Sequence, residues 1–112
     1  MDYLISEEQF IPLMKMFLED VVTPMLLNLY SEENLRDGYF PFVVTGIELG
    51  ERLDRNERTG TLYPHFNVFY EGYVNEYSRE SIGKTVKKHI EKYFQELVIS
   101  PNSSFKFVKK SK

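Results

Sequence analysis

Apolar residues recur with a helical period near the start of the chain. From Phe10 to Leu29 they return every three to four positions, the spacing that places side chains on one side of an α-helix. Ser6 and Gln9 have the spacing of a capping box just before this run. We therefore predict a helix over about residues 7–22, and a second helical piece from about Pro24, since proline suits the first turn of a helix.

Two runs with the pattern of strands follow. The first extends from Tyr39 to Leu53, and the second, from Leu62 to Tyr70, alternates apolar and polar residues as a half-buried strand does. The polar residues 54–60 between them predict a hairpin loop. Gly46 and Gly50 indicate bulges or a strong twist in the first strand.

A second amphipathic helix is predicted from Ser78, as its N-cap, to Val98. Lysines occupy much of its polar side. Beyond Pro101, the segment Ser104 to Lys109 alternates like a short edge strand whose lysines protect the edge. The apolar stripe of the helix consists of Ile82, Val86, Ile90, Tyr93, Phe94 and Leu97.

These elements predict an α+β fold in a single domain over residues 1–112, with the order α-(α)-β-β-α-β. Residues 31–38 form a polar connector between the helical part and the strands. We expect two layers, in which an antiparallel sheet with a long hairpin is covered on one face by the helices. This arrangement buries every apolar stripe in the simplest way.

Composition and charge narrow the class of protein. The chain has 112 residues, of which 42% are hydrophobic, and it has no cysteine, which excludes disulfides and thiolate chemistry. Residues 1–60 carry 12 acidic and 5 basic groups, whereas residues 61–112 carry 5 acidic and 9 basic groups, a division that can orient neighbouring molecules head to tail. No segment has the pattern of a signal peptide or membrane span. We expect a cytoplasmic protein, or a virion protein if it is phage-encoded.

One segment resembles a phosphate-binding motif. Residues 78–85, Ser-Arg-Glu-Ser-Ile-Gly-Lys-Thr, match the P-loop pattern G-x-x-x-x-G-K-T except for serine in place of the first glycine. The register of Ile82 and Val86 places this motif inside the predicted helix, whereas a P-loop precedes its helix. We therefore expect no nucleotide site here. Gly83 is expected to be either a position of close packing or a slight weakness in the first turn of the helix.

Other candidate chemistry is weak. The acidic residues 48–57 are interleaved with arginines and fail the spacing of a calcium loop. His65 and His89 lie on different predicted elements, and no nucleophile elbow or zinc motif is present. We predict no catalytic, cofactor-binding or metal-binding residues, no cofactor, and a protein that is not an enzyme.

The remaining interpretation is a protein that acts through protein–protein contacts, including contacts between its own copies. One alternative is a nucleic-acid-binding accessory protein that uses the lysine-rich C-terminal half, although the pI of about 5.4 disfavours it. Another is a small viral inhibitor of a host protein. No membrane partner is expected. The candidate contact surface consists of Arg52, Arg55, Arg58, Tyr70, Tyr73, Tyr77, Lys84, Lys87, Lys88 and Lys92.

Three features of the layout point to a family. The run Phe40-Pro41-Phe42-Val43-Val44 opens the first strand, the second strand is rich in aromatic residues, and Ser78-Arg79-Glu80 leads into the helix. In this layout the chain resembles small phage tail-terminator and tail-completion proteins, over most of its length. The resemblance implies a structural protein that forms a ring at the end of a tail tube, and it transfers no functional residue.

Overall fold

The computed structural model describes residues 7–30, 42–94, 97–101 and 103–110. The predicted cap at Ser6, the connector at 31–38 and the first three residues of the predicted first strand lie outside the described residues. The α+β class and the order of the elements are confirmed. The elements are α1 (Glu7–Phe17), a π-helical segment (Leu18–Val22), α2 (Thr23–Leu29), β1 (Phe42–Arg55), β2 (Leu62–Gly72), α3 (Glu76–Glu91) and β3 (Phe105–Lys109).

The first three elements follow one another without a break and form the N-terminal helix. The predicted boundary near Pro24 is confirmed, because α2 begins at Thr23 and has this proline in its first turn. The backbone N–H of Thr23 donates to the carbonyl oxygen of Leu18, five residues earlier, which is the wide turn of a π-helix. Pro24 has no N–H to donate to the preceding turn, and the wide turn lies directly before it.

The buried side of the N-terminal helix repeats every fourth residue. In a regular α-helix, four residues turn about 40° beyond a full circle, so five such steps rotate a stripe by about 200°. The π-helical segment has more residues in its turn and rotates the stripe back toward the sheet. The buried residues of this stripe are Phe10, Met14, Leu18, Val22, Leu26 and Tyr30.

The sheet has the strand order β1-β2-β3, with β2 in the centre. β1 and β2 form the predicted antiparallel hairpin, and shifts in their register next to Gly46 and within the segment that contains Gly50 confirm the predicted bulges. From Leu62 to Tyr70 the even-numbered side chains of β2 are buried and the odd-numbered ones are half-buried. One face of the sheet therefore contributes to the core, together with the helices.

β3 runs parallel to β2, with Phe105 opposite Phe66. The sheet is therefore mixed, and the prediction of a wholly antiparallel sheet is wrong. α3 returns the chain to the beginning of β2, where Leu97 forms a bridge with Leu62. A strand that follows such a crossover enters the sheet in the direction of the strand before it. The alternating pattern of Ser104–Lys109 predicts a strand but carries no information about its direction.

α3 begins earlier and ends earlier than predicted. Its N-cap is Asn75 instead of Ser78, because the Asn75 Oδ1 accepts a hydrogen bond from the Ser78 N–H at 2.8 Å. The helix ends at Glu91 instead of Val98. The chain leaves the helix there to reach the sheet, where the Val98 N–H donates to the Leu62 carbonyl oxygen at 2.9 Å. The predicted stripe residues that are buried within α3 are Ile82, Val86 and Ile90.

Gly83 is a position of close packing, one of the two alternatives that the sequence predicts. A Cβ atom placed on Gly83 would lie 2.6 Å from the carbonyl oxygen of Pro101 and 2.9 Å from its Cα. The segment between α3 and β3 therefore crosses directly over the backbone of the helix. Only a residue without a side chain leaves room for this crossing.

We expect Gly83→Ala to lower the free energy of unfolding by about 1–3 kcal/mol, because the added methyl group overlaps the Pro101 backbone. This loss opposes the intrinsic preference of helices for alanine, about 1 kcal/mol. Gly46→Ala is the control, since nothing lies within 4 Å of a Cβ at that position, and its change should stay within about 0.5 kcal/mol. Urea unfolding measures both variants. A Gly83→Ala variant as stable as the parent protein contradicts the close packing.

Candidate contact surface

The structure separates the predicted contact residues into groups at different places. The hairpin group lies at the tip of the sheet and consists of Arg52, Arg55 and Arg58. Tyr73 and Tyr77 are exposed beyond the other end of β2, whose 11 residues span about 36 Å. The lysine group lies on α3 and its C-cap and consists of Lys84, Lys87, Lys88 and Lys92. The hairpin group is therefore separate from the tyrosines, whereas Tyr77 lies on α3 together with the lysine group.

Tyr70 does not belong to a contact surface. Its side chain is only 9% exposed and lies on the core face of β2. Its ring makes an edge contact with Phe107 of β3, at 6.4 Å between centroids. The sequence prediction included this tyrosine in the candidate contact surface, whereas the pleat of β2 turns its side chain inward.

Hydrogen bonds within the hairpin loop stabilise its conformation. The Asn56 N–H donates to the Thr61 carbonyl oxygen at 2.9 Å, and the Asn56 Oδ1 accepts a hydrogen bond from the Arg58 N–H at 2.9 Å. Gly60 closes the loop with a φ of 75°, which favours glycine. Arg58 therefore extends into solvent from an ordered turn.

Next to this loop, one carboxylate joins two basic side chains. The Asp54 Oδ2 accepts a hydrogen bond from the Arg52 Nε at 2.9 Å and lies 3.2 Å from the His65 Nε2. The hydrogen bond with His65 lowers the pKa of Asp54, and Arg52 adds to the lowering. A histidine held by a carboxylate is one part of many acid–base sites. Within the described residues, however, no hydroxyl group bonds to His65, so the cluster lacks a nucleophile.

The P-loop-like residues lie inside α3, as their register predicts. Lys84 Nζ pairs with Glu80 Oε1 at 2.9 Å, one helical turn away. The Thr85 hydroxyl donates to the Ser81 carbonyl oxygen at 2.9 Å. The polar groups of this motif are therefore directed to partners within the helix, and they do not form a cradle for a phosphate group.

The N-terminal helix exposes an apolar surface that the sequence analysis did not select. Of the nine large hydrophobic residues that are exposed in the described part of the chain, five belong to this helix. Leu13 is 50% exposed and Met16 is 60% exposed. A signal was present in the sequence, because 13 of the 20 residues from Phe10 to Leu29 are apolar, more than one side of a helix can bury. The five exposed residues are Leu13, Met16, Val21, Leu27 and Leu29.

Aromatic contacts connect this surface to the end of α3. The ring centroid of Phe17 lies 5.1 Å from that of Tyr93 and 6.0 Å from that of His89. Phe10 contacts Phe94 at 6.0 Å, so α1 lies against the end of α3 and the residues that follow it. Tyr93 is itself 60% exposed. The helical face, as we call it, comprises the exposed side chains of Leu13, Met16 and Tyr93.

A cleft of about 590 Å³ lies between the N-terminal helix and β1, beside the region where they pack together. Lys15 and Glu19 line its helical side, and Glu48 lines the side of the strand. The Thr45 hydroxyl in this cleft is buried and has no hydrogen-bond partner among the described residues. The lining carries charges of both signs, so its charge favours neither an anionic nor a cationic ligand.

In the ranges that the structure describes, no group of three or more histidine, aspartate or glutamate side chains is placed to hold a metal ion. None of the helices in these ranges combines the length and the apolar character needed to cross a membrane.

Comparisons with known proteins give no match. No family model matches the chain, and no curated protein or solved structure matches it either. The resemblance to tail-completion proteins therefore stays a prediction from the layout.

His65→Phe is expected to raise the pKa of Asp54 toward its ordinary value of 3.8, because the hydrogen bond from His65 is the main cause of the lowering. NMR titration of the Asp54 carboxyl carbon measures this change. Since folding lowers this pKa, the cluster stabilises the folded protein above the unfolded-state pKa, and this contribution is lost as pH falls through the folded-state pKa. Arg58→Gln, on the same hairpin but outside the cluster, is the control. An unchanged Asp54 pKa in His65→Phe contradicts the assignment.

Proposed function

We propose that this protein is not an enzyme and that it acts by binding a protein chain through the helical face. The observation that carries this proposal is the exposure of Leu13, Met16 and Tyr93 beside the aromatic contacts of Phe17. Burial of a side chain of this size contributes about 1.5–3 kcal/mol. A helix with apolar residues on two sides is typical of one that packs against two partners, of which the sheet is one.

The charged groups elsewhere give less support for binding. Arg52 and Lys84 each have an acidic partner at 2.9 Å within the chain. Exposed ion pairs of this kind are common on protein surfaces and contribute little. Tyr73 and Tyr77 are exposed and suit a contact, but they lie at the far end of β2 from the hairpin arginines.

Nucleic-acid binding is the second candidate. The observation that favours it is the segment from Leu97 to Lys110, which contains three lysines and no acidic residue. The acidic N-terminal helix beside α3 weakens this candidate, because it repels phosphate groups near the lysine group. Retardation of DNA or RNA at low salt, with a steep loss as salt rises, is the result that would favour it over a protein partner.

A phage tail-completion component, in the virion or in the cytoplasm, is one setting in which a small binding protein of this kind works. That role requires a ring of several copies. Light scattering on the pure protein tests it, because a ring has several times the mass of the chain. A small viral inhibitor of a host protein would use the same helical face.

The proposal is tested by photo-crosslinking in the cells in which the protein occurs. With a photoreactive residue in place of Met16, we expect one discrete cross-linked product that contains a second protein chain. The same residue at Glu48, which is exposed on β1, is the matched control and should give no discrete product. If irradiation at position 16 gives no discrete product, the proposed function is wrong.

A further inference from the structure

We propose that the free edge of β3 binds an extended segment of another protein chain as a fourth strand of the sheet, and that this segment is acidic on one face. The inference goes beyond the proposed function, because β3 lies outside the helical face. It depends on which backbone groups of β3 are unpaired and on the charges beside them.

Every second residue of β3 directs its backbone N–H and carbonyl groups away from β2. At one end, the Ser104 carbonyl oxygen accepts a hydrogen bond from the Phe66 N–H at 2.7 Å. At the other end, the Lys110 N–H donates to the Tyr70 carbonyl oxygen at 2.7 Å. Backbone groups of successive strand residues point to opposite sides, so the even-numbered residues face β2. The part of the chain that the structure describes has no strand on the other side of β3. The residues that face this free edge are Phe105, Phe107 and Lys109.

An open cleft runs along these unpaired groups. It has a volume of about 560 Å³ and is lined by Phe105, Lys106 and Phe107 of β3. Neighbouring side chains of a strand point to opposite faces, so a cleft that touches three consecutive residues lies beside the edge of the strand. Glu76 and Glu80 of α3 line its other wall. A strand added at the usual spacing of about 4.8 Å would enter this cleft.

The charges of β3 favour an acidic segment over a second copy of this chain. Lys106, Lys109 and Lys110 are exposed, and the segment from Leu97 to Lys110 contains no acidic residue. Two copies of β3 side by side would bring the lysines of both into one short ladder, where like charges are destabilising. A segment with acidic side chains in these positions would form pairs of opposite charge instead.

The two faces of the added strand would meet different surroundings. Lys106 and Lys110 belong to the face of the sheet away from the core, because β3 is in register with the outward, odd-numbered residues of β2. On the core face, the cleft contains Phe107, with Arg79 over its ring at 5.7 Å, and the two glutamates of α3. We therefore expect acidic residues on the outer face of the bound segment and apolar residues on the face directed to Phe107.

Amide hydrogen exchange, measured by NMR, tests the site with a synthetic peptide in which glutamate and valine alternate and both ends are blocked. In the free protein, the N–H groups of Phe107 and Lys109 should exchange fast, whereas those of Lys106 and Val108 are protected by β2. Saturation with the peptide should slow the exchange at Phe107 and Lys109 at least about tenfold, because both groups then donate to the added strand.

Methylated peptides distinguish strand pairing from a simple attraction of charges. Methyl groups on all valine nitrogens, or on all glutamate nitrogens, remove the donors from one edge of the peptide and leave its charge unchanged. Only one edge of the peptide can face β3, so one of the two methylated peptides should lose binding and the other should keep it. A peptide with lysine in place of glutamate should bind at least about tenfold more weakly.

Charge reversal on β3 tests the preference for an acidic segment. Lys106→Glu with Lys110→Glu should raise the dissociation constant of the glutamate–valine peptide at least about tenfold, and should lower that of the lysine–valine peptide. The matched control is Lys88→Glu with Lys92→Glu, which changes equally many exposed lysines outside β3. It should leave both constants within about threefold of the parent values. Fluorescence anisotropy of labelled peptides measures binding, and thermal unfolding shows that each variant is folded.

Four results overturn the inference: slow exchange at Phe107 and Lys109 in the free protein, no binding of the glutamate–valine peptide, the same outcome for both methylated peptides, or binding that the β3 variant retains in full. None of these results bears on the proposed function, since the photo-crosslink at position 16 tests a different surface. Slower exchange at both amides, together with loss of binding in one methylated peptide only, supports the inference.

Discussion

The burial of one side of the N-terminal helix against the sheet is the constraint on which the rest of the structure depends. The stripe from Phe10 to Tyr30 fills the space above the core face of β1 and β2. A helix has only one side that can face a given sheet, and this helix has apolar residues on more than one side. Packing of the stripe therefore decides which apolar residues remain outside, and Leu13 and Met16 are among them.

The second organising contact joins the helices to each other. Phe17 lies against His89, Tyr93 and Phe94, so the end of α3 is held beside α1. From there the chain turns to the sheet, passes over Gly83 and enters β3 parallel to β2. The crossover, the close approach at Gly83 and the exposure of Tyr93 all follow from the path that the chain takes from the end of α3 to β3.

The polar groups of the two sequence motifs with candidate chemistry have partners within the chain. Asp54 and His65 are paired on an open hairpin. In the Gly83-Lys84-Thr85 segment, the polar groups of Lys84 and Thr85 bond to residues of the same helix. Catalytic sites bring several polar groups together in a pocket that excludes water. Exposed apolar side chains of a helix are removed from water when a protein chain covers them, and this removal is favourable.

The sequence by itself determined the α+β class, the order of the elements and the hairpin with its bulges. These features follow from residue patterns that act over a few neighbouring positions. Only the tertiary structure decided that β3 is parallel, that α3 ends at Glu91 and that Tyr70 points inward, because each depends on residues distant in the sequence. The helical face belongs to the second group. Its apolar excess is visible in the sequence, but which apolar residues stay exposed is decided by the packing of the N-terminal helix against the sheet and against the end of α3.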